Sequence, residues 1–158
     1  MAEDRLEPLL DKLAATRQTL LAVLENMPPD NWEKTLYSEG ATWTASDVLR
    51  HLVSAQYGMI RLIQVIQEGG EGVPPDFDRD RYNQRSVEKA RDKNPAQLIQ
   101  QLQENRSWLL TILPTLVAED WEKKGRHASG RFLTIAEIVA VIADHEQIHA
   151  HDLHQLVN

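Results

Sequence analysis

The sequence predicts an all-α fold, a four-helix bundle, on three observations. Four stretches carry apolar residues at alternating intervals of three and four, the spacing that gives a helix one apolar face. Three of the four open on helix-capping residues, and proline or glycine closes the runs. The connector at residues 70–94 is far longer than a helix hairpin requires and suits a crossover between the second and third helices. One domain over residues 1–158 is expected, because a chain of 158 residues buries a substantial core unaided.

The first helix is expected over residues 5–27, with Leu6, Leu9, Leu13, Leu20, Val23 and Met27 on one face; Pro28 and Pro29 stop it. Residues 30–42 read as a connector with Trp32 as a hydrophobic plug. Thr44 is placed as the N-cap of a second helix over residues 45–67, with Asp47 at its third position and Trp43 and Val48 as a hydrophobic staple. Gly69 and Gly70 end it. Its seam runs through Val48, Leu52, Ala55, Met59, Leu62 and Ile66, and His51 lies on the edge of that seam.

Within the crossover a short helix is expected around residues 82–91. Asn94 and Pro95 start a third helix through Leu98, Leu102, Leu109 and Leu113, which Pro114 bends or ends. Asn105 and Arg106 fall on or beside its seam, where an arginine must snorkel or pair with an acid. Residues 119–132 read as a loop or small hairpin around Ser129 and Gly130. A capping box of Thr134 and Glu137, with Leu133 and Ile138 as staple, opens the fourth helix, which runs to about Leu156.

Composition narrows the chemistry. The chain has no cysteine, so a metal must be held by imidazole and carboxylate, and any thiol chemistry must borrow its thiol. A net charge of −7, with basic residues dispersed among acids, leads to the expectation of no nucleic-acid partner. No window is apolar enough for a membrane span and the N-terminus is acidic, so a soluble cytoplasmic protein with no membrane partner is expected.

The densest chemistry lies near the C-terminus, where ADHEQIHAHDLHQL holds four of the six histidines. Along the seam Ile135, Ile138, Ile142, His145 and His149, the two histidines stand where the rhythm asks for leucine, while His151 and His154 turn away. Inward imidazoles are costly unless a metal or polar network satisfies them. His51 is the one other histidine placed on an inward helical face, so His51, His145 and His149 form a candidate three-nitrogen site, which leaves a coordination position open. The three reach the same depth if the second and fourth helices run antiparallel, which gives an up-down-down-up order.

The pieces WTASDVLRHLVSAQ, FDRDRYNQRSV, ENRSWLLTIL and GRFLTIAEIVAVIADHEQIH occur in an order and spacing that resembles the DinB/YfiT-like family of bacterial four-helix-bundle metalloproteins. The resemblance covers essentially the full length. It implies a metal triad at His51, His145 and His149, a divalent ion such as nickel or zinc, an up-down-down-up bundle and, in many members, a homodimer. It also points to relatives that use low-molecular-weight thiols, among them bacillithiol and mycothiol transferases and maleylpyruvate isomerases. The family's usual glutamine three residues after the second histidine of the pair is Asp152 here.

The leading expectation is therefore a metal-dependent transferase or hydrolase acting on a small molecule, with a low-molecular-weight thiol as a candidate co-substrate. Glu146, beside the first ligand of the pair, is a candidate general base, although helical rotation also allows an outward surface glutamate. His127 is either a group at the mouth of the site or a solvated loop histidine. His145 to His149 also spells HExxH, but a metalloprotease needs a third ligand and a peptide cleft that an all-helical chain ending nine residues later does not offer. The alternative from another class is a non-catalytic metal-binding or stress-response module.

Overall fold

The computed structural model describes residues 2–157, the side chains of residues 2 and 3 excepted. Helix α1 spans Ala2–Glu25, followed by a 3-10 turn at Pro29–Asn31 and a hairpin of β1 (Thr35–Ser38) and β2 (Ala41–Thr44). Helix α2 (Ala45–Gln67) leads through the crossover to a short α3 (Arg79–Lys89) and then to α4 (Pro95–Ile112). A second hairpin, β3 (Lys124–Arg126) and β4 (Phe132–Thr134), precedes α5 (Ile135–His154). The four bundle helices are α1, α2, α4 and α5. None of the described helices is long and apolar enough to cross a membrane.

The caps work as their sequences require. Thr44 accepts from the Asp47 N–H at 3.0 Å, and reciprocal capping boxes join Asn94 to Gln97 and Thr134 to Glu137. Helix α3 begins three residues earlier than the apolar pattern indicates, because Asp78 caps it by accepting from the Arg81 N–H. Residues 30–42 are more than a connector: Leu36 and Ser38 alternate inward along β1, and Leu36 pairs with Trp43 across the hairpin. β-Branched and aromatic residues on both sides of a two-residue turn favour that pairing.

Two apolar layers show the helix directions. Leu13 of α1 packs in one layer with Met59 and Ile63 of α2, Leu109 of α4 and Ile138 of α5. Leu20 packs in the other with Leu49 and Leu52, Leu98 and Leu102, and Leu153. Passing from the first layer to the second means moving forward along α1 and α5 but backward along α2 and α4, so the bundle is up-down-down-up. The crossover is docked by Arg50, which donates to the carbonyls of Ala90 and Lys93 at 3.0 and 2.9 Å and pairs with Asp47 at 2.8 Å.

Between the two layers lies a buried polar plane centred on Glu146, whose side chain is fully buried. Its Oε1 accepts from Arg17 of α1 (2.5 Å), Arg106 of α4 (2.7 Å) and Gln56 of α2 (2.8 Å), and its Oε2 accepts from Thr16 (2.9 Å). All four bundle helices thus meet at one carboxylate. Arg106 also donates to the Leu13 carbonyl, and Arg17 to Gln103. The reading of Glu146 as a surface residue or a general base is corrected here: the side chain is fully buried and both its oxygens are engaged inside the core. Arg106 resolves to the acid-paired alternative.

Removing one partner of a buried ion pair leaves uncompensated charge in a low dielectric, at a cost of about 3–5 kcal/mol. Glu146→Gln, which leaves two buried guanidinium groups without their counter-charge, is expected to lower the unfolding free energy by an amount in that range (about 3–5 kcal/mol) in urea titrations. A change below about 1 kcal/mol would show that the plane is not a stabilising element.

Candidate metal centre

The first hairpin positions chemistry that helical periodicity could not reveal. Its turn residues, Glu39 and Gly40, both have positive φ, at 47° and 81°, as a type I′ turn requires. Glycine adopts this region freely; a glutamate does so at a cost of about 1–2 kcal/mol. The turn carries the Glu39 carboxylate over three imidazoles. His51 comes from α2, and His145 and His149 come from α5.

These four side chains each offer one ligand atom, and those atoms lie within 4.8 Å of one another. His145 Nε2 lies 3.2 Å from His51 Nε2 and 3.0 Å from His149 Nε2. Glu39 Oε2 is 3.0 Å from His51 Nε2 and 3.3 Å from His149 Nε2, and 3.1 Å from His145 Nε2. Bonds of about 2.0–2.1 Å arranged tetrahedrally place their donors roughly 3.3 Å apart, so the spacing fits a single divalent ion. The three histidines singled out by sequence are brought together; Glu39 joins them, and Glu146 does not.

The surroundings favour the ligating forms. Burial, the largest influence, lowers the proton affinity of His51 and of His145 below that of free imidazole, which keeps nitrogen lone pairs available. Burial opposes ionisation of Glu39, but the imidazoles of His145, His149 and His51 against its carboxylate together outweigh it and hold the carboxyl well below the usual carboxylate range. Such a weakly basic carboxylate suits a ligand better than a general base.

His149 has a further support. Ser38 Oγ donates to Asp152 Oδ2 at 2.6 Å and lies 2.9 Å from His149 Nδ1. A serine has one proton to give, so with that proton on Asp152 it must accept from the His149 Nδ1–H. The relay fixes the tautomer and leaves His149 Nε2 as a lone-pair donor facing the cluster. The departure at Asp152 from the family's glutamine therefore falls on a residue that orients a ligand. The Trp43 ring lies against His51, 4.9 Å between centroids. His51 Nδ1 and His145 Nδ1 are buried with no hydrogen-bond partner among the described residues.

A cavity of about 580 Å³ opens onto the cluster at Glu39, His51 and His145. Its walls are largely apolar, with Met59 and Leu62 from α2, Val141 and Ile148 from α5, and Phe77 and Tyr82 from the crossover. His127 lines it from the β3–β4 turn, which places this histidine at the site rather than in open solvent. His151 and His154 are exposed on the far side of α5, as their helical phase requires.

Comparison with known proteins fits this geometry. The DinB superfamily profile matches residues 12–153. No curated protein matches the chain in sequence. Among solved structures, the colibactin self-resistance protein ClbS, crystallised in complex with dsDNA, is similar with a TM-score of 0.77 at 16% identity, covering 95% of this chain and 94% of that one. YfiT from Bacillus subtilis, described as "a probable metal-dependent hydrolase with an unusual four-helix bundle topology", gives 0.74 at 18% identity over 95% of this chain and 84% of its own. The mycothiol-dependent maleylpyruvate isomerase gives 0.73 at 20% identity; 97% of this chain matches 62% of that protein.

At these identities the likeness establishes the fold. The ClbS complex overturns the exclusion of nucleic acid drawn from net charge: a protein of this fold holds dsDNA. Net charge is a sum over the whole surface, whereas contacts to nucleic acid are made by local groups, so −7 does not decide against such a partner. With the up-down-down-up bundle, the histidine and glutamate cluster at its α2–α5 side and a profile match over most of its length, the chain belongs to the DinB superfamily.

Proposed function

We propose that this protein is a divalent-metal-dependent transferase or hydrolase acting on a small molecule, with His51, His145, His149 and Glu39 as the metal ligands. The observation that carries the reading is the convergence of four ligand atoms within 4.8 Å, three of their residues lining a cavity of about 580 Å³. Pockets of about 300–1,000 Å³ with apolar walls and a few convergent polar groups are typical of small-molecule sites. Three imidazoles and one carboxylate suit zinc or nickel. A bound ion of this kind supplies Lewis acidity and lowers the pKa of a water or thiol at the site.

The protein's own groups divide the remaining work. His149, held by Ser38 and Asp152, is a fixed and fully buried donor. Glu39 sits on a two-residue turn with its side chain one-third exposed, and so is the donor best able to yield to substrate. The apolar walls receive the apolar part of a ligand. With no cysteine in the chain, a transferase reaction through sulfur takes its thiol from a co-substrate, and the likeness to a mycothiol-dependent isomerase supports a thiol panel as the first assay.

Protein purified without a histidine tag is expected to carry close to one metal ion per chain by elemental analysis, and His149→Ala close to none. Equal metal content in the two would remove the centre. Metal-loaded protein is expected to turn over electrophiles with at least one cellular thiol or with water; inertness across both assays, with full metal occupancy, would leave a binding module instead. Ser38→Ala and Asp152→Asn, which loosen His149 without removing a ligand, are expected to weaken metal affinity by about 10–100-fold in competition with a chromogenic chelator. Unchanged affinity in both variants would show that the relay does not tune the site.

A further inference from the structure

The cavity contains donors and acceptors in unequal states of engagement. Of its two lining carboxylates, Glu39 is taken by the three imidazoles and Asp144 pairs with Lys12 at 2.7 Å. Two further lining groups, Arg79 from the crossover and His127 from the β3–β4 turn, have donors left over. The Arg79 side chain, at the start of α3, makes no hydrogen bond among the described residues and has only a 3.9 Å ion pair to its neighbour Asp80. His127 Nδ1 accepts from the Ser129 N–H at 3.1 Å, which leaves the proton on Nε2, and no described group accepts it.

This wall is built rather than loose. The crossover pairs with β3 through Val73 N–H to the Arg126 carbonyl (2.9 Å) and Arg126 N–H to the Glu71 carbonyl (2.8 Å). Gly72 lies in that pairing with φ +95°, and a Cβ there would stand 2.4 Å from the Arg126 nitrogen. The clamp holds the segment leading to Phe77 and Arg79 against the strand that leads into His127. His127 is further fixed by its N–H to the Arg131 carbonyl at 2.9 Å. Burial first, then nearby positive charge that includes Arg79 and Arg131, lowers the proton affinity of His127. Asp76, Asp78 and Asp80 do not line the cavity but an adjoining depression that shares Phe77, Arg79 and Ala128 with it.

We propose that Arg79 and His127 form a carboxylate-binding subsite, and that the ligand of this cavity is an organic acid whose apolar body lies along Met59, Leu62, Val141 and Ile148. The guanidinium and the Nε2–H line one cavity and are donors suited to a carboxylate, and the apolar residues of the same cavity receive a hydrocarbon or aryl portion. This names the substrate class for the site proposed above and rests on that reading for its catalytic meaning, but the subsite itself does not require the metal.

Octanoate and octanamide, matched in length and differing in charge, test it by calorimetric titration of the full chain, zinc-loaded and chelator-treated, with metal content measured in parallel. Wild-type protein is expected to bind octanoate at least about tenfold more tightly than octanamide, as a charge-assisted hydrogen bond implies. Arg79→Gln and His127→Gln are each expected to erase most of that preference while octanamide binding and metal content stay unchanged, which also shows that the variants are folded. The preference is expected to survive chelation. Absence of octanoate binding, equal binding of acid and amide, a preference indifferent to both substitutions, or one lost with the metal would each overturn the subsite. Arg79-dependent octanoate binding in protein that takes up no zinc on loading would retain the subsite and remove the metalloenzyme reading.

Discussion

The bundle depends on one buried carboxylate. Glu146 receives hydrogen bonds from α1, α2 and α4, so it sets the rotation of α5 against all three neighbours. At about 100° per residue, that rotation leaves His149 roughly 60° and His145 roughly 100° to one side of Glu146. Both imidazoles are thereby turned toward α2 and the first hairpin. A polar plane in a helical core is expensive to desolvate: burial lowers the proton affinity of Arg17 even beside its acid partner. What it provides is register. Apolar residues tolerate sliding and rotation, whereas a carboxylate bound at 2.5–2.9 Å from three other helices does not.

On that frame, the site is completed by a segment outside the bundle. β1 turns Ser38 inward onto His149 and Asp152, and the next residue, Glu39, takes a left-handed conformation that is unfavourable for its type. Strain of this kind persists where surrounding contacts over-determine it. Here those contacts are the three imidazoles beneath the carboxylate and the β1–β2 pairing on either side of the turn. The second hairpin and the crossover, clamped to each other at Gly72 and Arg126, supply the opposite wall of the cavity. Rigid helices thus hold the histidines, while two hairpins and a crossover set what reaches them.

The helices, their caps and the inward histidines were legible in the sequence because period and capping chemistry are local. The extent of α2, bounded by Thr44 and by the glycines after Gln67, followed directly from those signals. Glu39 was not legible: a Glu-Gly pair lacks the Asn-Gly signature of a tight hairpin turn, and no spacing rule links residue 39 to helices far along the chain. Glu146 was misread because the α5 seam was drawn through His145. The buried set Ile135, Ile138, Val139, Ile142, His149, Ala150 and Leu153 surrounds Glu146 instead and leaves His145 at its edge. Charged residues at seam positions on three helices, Arg17, Arg106 and Glu146, were the signal for a buried network. Net charge failed as a guide to nucleic acid because it reports no local arrangement.

The most direct measurement is metal-edge X-ray absorption on metal-loaded wild-type protein and on Glu39→Ala. A first shell of three imidazole nitrogens and a carboxylate oxygen, with the carboxylate contribution lost in the variant and the imidazoles kept, is the expected result. An identical shell in both proteins, or fewer than three imidazoles in the wild type, would contradict a centre built from His51, His145, His149 and Glu39.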